Sequence, residues 1–236
     1  MAEHAWWLLC GVVGMYLYDA VLLLFHNEVV FYERGGRWSF SIGSDFELGG
    51  RHVYVPPLFS PTGAILRLRW STRVPPGVAV ALRGLRAWRV AMRAMVPRTL
   101  AIAMLFAAMP AAMQANGLIL LAWLVALYAS IVLGVAKLWR LHRVSGLARK
   151  EALAISSDAL LCAPFALDIL RKQGLKAADR FDVVSTAHAL LDADERRRLA
   201  EAIRSRLQRQ MDLEEPDSER HVMLRNYADD MAGALA

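Results

Sequence analysis

The stretch LILLAWLVALYASIVLGVA, residues 118–136, decides the fold class. Eleven of its residues are Leu, Ile or Val and none is charged. A helix of that length at 1.5 Å per residue crosses a hydrocarbon core about 30 Å thick, so the stretch reads as a membrane span. Two weaker segments read the same way. Residues 5–25 (AWWLLCGVVGMYLYDAVLLLF) carry ten Leu, Val or Phe residues against one acid, Asp19. Those ten contribute roughly −3 to −6 kcal/mol on the insertion scale, against about +3 for the acid. Residues 99–113 (TLAIAMLFAAMPAAM) are Ala-rich and interrupted by Pro110, which breaks helix hydrogen bonding.

The basic residues arbitrate. Of 28 Lys and Arg, 11 lie in residues 26–98 and 17 from residue 137 onward, with none in residues 1–4 or 114–117. Because positive charge collects on the cytoplasmic side, the chain must cross twice between the two basic regions. Residues 99–136 then form a hairpin turning at QANG, residues 114–117, with the amino terminus outside and the carboxyl terminus in the cytoplasm. The first segment lacks the basic n-region and cleavage site of a signal peptide and reads as an anchor of a multi-pass inner-membrane protein.

Across 236 residues, 56% are hydrophobic, 21% are charged and mean hydropathy is +0.32, which excludes disordered, collagen-like and disulfide-stapled classes. The net charge of +6 is local: residues 26–98 hold 11 basic and 4 acidic residues, the tail 17 and 16. A basic loop beside a bilayer faces anionic headgroups, so lipid is the expected charged partner and nucleic acid is not. In VAVALRGLRAWRVAMRAMV, residues 78–96, helical spacing sets Leu85, Trp88, Met92, Met95 and Val96 opposite Arg83, Arg86, Arg89 and Arg93. Two readings have equal standing: an interfacial helix with its arginines on lipid headgroups, or an apolar face packed on protein.

Between residues 27 and 72 the pattern changes to alternation. Residues 29–32, 38–42, 51–55 and 66–70 read as four strands of a small antiparallel sheet. Gly35-Gly36 and Gly49-Gly50 are placed for tight hairpins, and Pro56-Pro57 with Ser60-Pro61 break the last connection. So small a sheet has little core of its own and must lean on the tail, the membrane or another protein. The tail reads as helical, with a capping box at Asp192 to Glu195 opening a helix over 193–211 and a buried run around Phe165. The expected fold is thus a mainly α membrane protein. Its parts are a first span (1–26), a β insertion (27–72), a basic amphipathic helix (73–97), a helical hairpin (98–137) and a cytoplasmic helical domain (138–236).

Asp19 is the candidate functional residue, an acid near the cytoplasmic end of a span with Tyr16 and Tyr18 beside it. It is read either as a proton or ion site or as half of an interhelical pair with Arg98 or Lys137. The six histidines and two cysteines show no metal-ligand spacing. Neither a phosphate-binding glycine motif nor a nucleophile elbow occurs, so no catalytic residue, metal or cofactor is assigned. The resulting expectation is a non-catalytic subunit or scaffold of a larger cytoplasmic-membrane assembly, docking on a membrane-protein partner or on copies of itself. The alternatives are an oligomeric transporter or channel subunit using Asp19, and a membrane-tethered enzyme with a cytoplasmic site.

Overall fold

The computed structural model describes residues 2–55, 63–71, 82–176, 181–216 and 218–235. The expected break at Pro56-Pro57 and Ser60-Pro61, the start of the 78–96 stretch and the Arg83 side chain lie outside the described residues. The chain is mostly helical with a small antiparallel β component, and it divides into two compact units. One comprises Met1–Leu22, Val55–Ala64 and Arg86–Ala177; the other comprises Leu23–Tyr54, Ile65–Leu85 and Ala178–Ala236.

The first unit opens with α1 (Ala2–Ala20), and here the apolar run 5–25 is not one helix. Helical hydrogen bonding ends with the Val21 amide on the Leu17 carbonyl, and Leu22–Leu24 leave as strand β1. Leucine is a good helix former, but β1 pairs with a neighbouring strand and Leu24 is completely buried, so tertiary packing overrides propensity. The helix keeps 19 residues, about 28 Å at 1.5 Å each. Without its five C-terminal apolar residues, it no longer ranks with the two helices that, among the described residues, are long and apolar enough to cross a membrane.

Those two are Gly84–Gln114 and Gly117–Ser145, whose most apolar 18-residue windows have mean hydropathy 1.5 and 2.6. Helix α2 (Leu82–Ala107) runs through Pro97 without stopping, and α3 (Met109–Gln114) continues it after a break at Ala108. Pro110 sits in the first turn of α3, where its missing N–H has no helical acceptor to lose. Just before the break, the Leu105 carbonyl accepts the Trp123 indole N–H at 2.8 Å, tying α2 to the returning helix. That helix, α4 (Gly117–Ser145), starts where the Asn116 side chain accepts the Ile119 amide at 2.9 Å. It ends at Gly146, whose φ of 83° makes the left-handed cap that glycine tolerates. Then α5 (Arg149–Leu161), a 3-10 turn (Ala163–Asp168) and α6 (Ile169–Lys176) fold back on α1 and α4.

Along α2, Leu85, Trp88, Met92, Met95, Thr99, Ile102 and Phe106 form one buried stripe at helical spacing. The apolar face of the amphipathic helix is therefore buried inside the protein. Arg86 and Arg93 are exposed and Arg89 is half-buried.

In the second unit β2 (Glu28–Arg34) pairs antiparallel with β3 (Arg37–Ser41) and with β6 (Ile65–Arg69). A second three-stranded sheet has the order β1, β5 (Arg51–Tyr54), β4 (Glu47–Leu48). Two sheets thus replace the single four-stranded one expected, because the short strands β1 and β4 were not legible as strands. Gly35 and Gly36 have φ of 58° and 80°, and Gly49 and Gly50 have 59° and 73°. Two successive positive φ values give the turn whose twist suits a two-residue hairpin.

Strand β3 packs on helix α8 (Ala193–Met211), which packs in turn on α9 (Glu219–Leu235), and α9 on α7 (Val183–Leu190). The Asp192 carboxylate accepts the Glu195 amide at 2.9 Å and starts α8. Glu195 does not reciprocate but accepts the Ser39 hydroxyl at 3.0 Å, and Arg206 donates to the Ile42 carbonyl at 2.6 Å. Both contacts fasten β3 to α8. The expected helical domain 138–236 is accordingly divided: α5 and α6 belong with the apolar helices, and α7 to α9 with the sheets.

Candidate functional site

Asp19 stands in the last turn of α1, and the cation that reaches it is Lys172 of α6, with Nζ 3.0 Å from Oδ2. Neither expected partner, Arg98 or Lys137, takes this place. The reason is topological: the segment beyond α5 folds back across the end of α1 and brings its own cations. Lys172 also donates to Asp158 of α5 at 3.1 Å and lies 4.6 Å above the Phe165 ring.

The next residue, Arg171, forms a second pair. Its Nη1 is 2.9 Å from Asp168 Oδ1, and its Nη2 donates to the Tyr16 hydroxyl at 2.8 Å while the guanidinium lies over the Tyr16 ring. Asp168 is 1% exposed and Arg171 4%. Charges so thoroughly removed from water persist only when paired, because desolvating a lone ion costs several kcal/mol. The Asp168 carboxyl is pushed up to about 7, first by burial and further by the negative charge of Asp19, against the opposing pull of Arg171. Tyr16 thus belongs to the cluster, whereas Tyr18 is 83% exposed and does not. Asp158, Asp168, Arg171 and Lys172 were missed in the sequence. Their one signal was Asp168 and Arg171 at i, i+3 immediately after a strongly apolar run.

Beside this cluster lies an apolar cavity of about 310 Å³. It is walled by Leu9, Val12, Val13 and Tyr16 of α1, by Ala103, Phe106 and Ala107 of α2, and by Leu167. Tyr16 therefore separates an oily groove from an ionic lock. The second unit has its own buried acid. Glu28 receives two hydrogen bonds each from Arg67 and Arg69, and the Phe25 amide at 2.8 Å. The residues following β1 are therefore a packed corner. Burial alone would raise the Glu28 carboxyl, but these hydrogen bonds outweigh it and hold it below the usual range.

A glutamate so depressed contributes stability that is complete above its unfolded value and is lost as pH falls through the folded one. The second unit is expected to lose stability on acidification below about pH 4.5, and Glu28→Gln to flatten that dependence. Denaturant midpoints of both proteins across that range check it.

Among the described residues no three His, Cys, Asp or Glu side chains come together as a metal site, and Cys10 and Cys162 are both free. No protein-family model, curated protein or solved structure matches the chain.

Proposed function

We propose that the protein is a non-catalytic integral membrane subunit that anchors and docks a larger cytoplasmic-membrane assembly. The observation that carries this reading is the surface of α4. Leu118, Leu121, Val125 and Val132 are 78%, 60%, 61% and 52% exposed along a helix of 29 residues, and only 17% of its most apolar window is buried. A core helix of that hydropathy would be mostly buried, and an apolar surface so long is stable only in hydrocarbon or against another protein. At about 43 Å, α4 has length to spare for a span.

Three features support α1 as a third span with its amino terminus outside. It packs on α3 at the far end of the α2–α3 rod and on the 3-10 turn at its other end. Its one intramembrane acid is paired with Lys172, which offsets much of the insertion cost of a lone carboxylate. The distribution of Lys and Arg leaves residues 114–117 free of charge and puts every basic residue on one side. The second unit is then cytoplasmic. Its edge strand β4 bears exposed Leu48, with exposed Phe46 just before it, an apolar pair suited to a partner.

Purification of the tagged full chain from its native membrane in mild detergent, followed by mass spectrometry, tests the proposal. A membrane protein recovered at reproducible stoichiometry is the expected result. Recovery of the chain alone, in a monodisperse form that holds no partner after crosslinking in the membrane, overturns it.

A further inference from the structure

We propose that Asp19 and Asp168 form a proton-binding carboxyl pair, so that the ionic lock between α1 and α6 carries one exchangeable proton. The charges do not balance without it. Three carboxyls, Asp19, Asp158 and Asp168, share two cations, Arg171 and Lys172, and Lys172 is divided between Asp19 and Asp158. Asp158 is half exposed to solvent. The deficit falls on the inner pair, where Asp168 is shielded from solvent.

Hydrogen bonding points the same way. Asp19 Oδ2 and both Asp168 oxygens are buried, yet none receives a well-aimed hydrogen bond, since Lys172 and Arg171 approach them as ion-pair partners only. A carboxylate is acceptor-only, whereas a protonated carboxyl also donates. One proton between the two acids supplies the donor the corner lacks and relieves like-charge repulsion, as carboxyl pairs elsewhere do.

Among the described residues, the elements packed on Asp168 bring few other ionisable groups. The 3-10 turn bearing Asp168 packs on α1, α4, α5 and α6. From α1 come Tyr16 and Asp19, from α5 Asp158, and from α6 Arg171 and Lys172. The buried positions of α4 are Leu127, Ile131, Gly134, Leu138, His142 and Ser145, of which only His142 has an ionisable side chain, and its Nδ1 faces the Trp139 carbonyl. The upward displacement of Asp168 by burial and by Asp19 accords with the pair holding its proton near neutrality.

Infrared difference spectra of the full chain in detergent, between about pH 5 and about pH 9, test this by following the C=O stretch of a protonated carboxyl. The wild type is expected to lose one such band as pH rises, with a midpoint near 7. Asp168→Asn removes the band. Asp19→Asn, which takes away the neighbouring negative charge, lowers its midpoint by about one unit, a tenfold change in proton affinity. A wild type with no carboxyl band titrating above about pH 6 overturns the proposal, as does a band that survives Asp168→Asn. Should Asp168→Asn fail to fold, an unchanged midpoint in Asp19→Asn is equally fatal, because it severs the pairing.

Discussion

Asp168→Ala is expected to destabilise the first unit by about 3–5 kcal/mol, whereas Arg171→Met costs clearly less. The asymmetry follows from what each change leaves behind. Without Asp168 the buried guanidinium of Arg171 retains the Tyr16 hydroxyl at 2.8 Å but loses its counter-ion, and arginine cannot shed its charge. Without Arg171 the acid can neutralise itself by taking a proton, and methionine fills the vacated volume. The same acid sets an opposite pH dependence from Glu28. Its folded value of about 7 lies above its unfolded value of 3.8, so the folded state binds more protons across that interval. Stability of the first unit is therefore complete below the lower value and falls as pH rises through the upper one. Thermal unfolding of the detergent-solubilised variants, followed at neutral and mildly acidic pH, measures both effects.

Trp88→Ala carries the second large expectation, a loss of about 3–5 kcal/mol, because Trp88 is completely buried in the stripe along α2. Arg86→Ala and Arg93→Ala, on the exposed face of the same helix, are expected to change stability by no more than about 0.5 kcal/mol. This contrast separates the two readings of the amphipathic stretch. Were its apolar face in lipid, Trp88→Ala would weaken binding to anionic vesicles and leave the unfolding transition in place. Packed on protein, the tryptophan gives the reverse, a lowered transition and vesicle binding unaltered.

Much of this architecture was legible because two periodicities are hard to mistake. Alternation over residues 29–32 and 66–70, with glycine pairs where both φ values must be positive, specified hairpins that the sheets contain. The uninterrupted apolar run of α4 specified a long helix, and the turn read at residues 114–117 marks where it starts. The misreadings share one physical cause, that competition between elements distant in sequence leaves no local trace. Residues 22–24 are three leucines, which locally favour a helix, and only pairing with β5 makes them a strand. The tail looked like one domain because nothing local in its sequence marks which helices have distant packing partners, although α5 and α6 pack with the apolar helices. At the site, the isolated acid drew attention to Asp19, but its partners lie about 150 residues away. Pairing it with the basic residues at the ends of the neighbouring spans was the natural local guess. The apolar run before Asp168 concealed the fact that its last turn carries a buried ion pair.

The central claim, that α2–α3 and α4 cross the bilayer as a hairpin and leave the second unit in the cytoplasm, is tested most directly by thiol accessibility. In a chain freed of Cys10 and Cys162, single cysteines are introduced by Ala115→Cys at the exposed hairpin turn and by Leu213→Cys, at a position 87% exposed after α8. Intact cells are then treated with a membrane-impermeant maleimide. Labelling at residue 115 in intact cells, and at residue 213 only after permeabilisation, is the predicted result. Labelling at residue 213 in intact cells, or at neither position until the cells are opened, contradicts it.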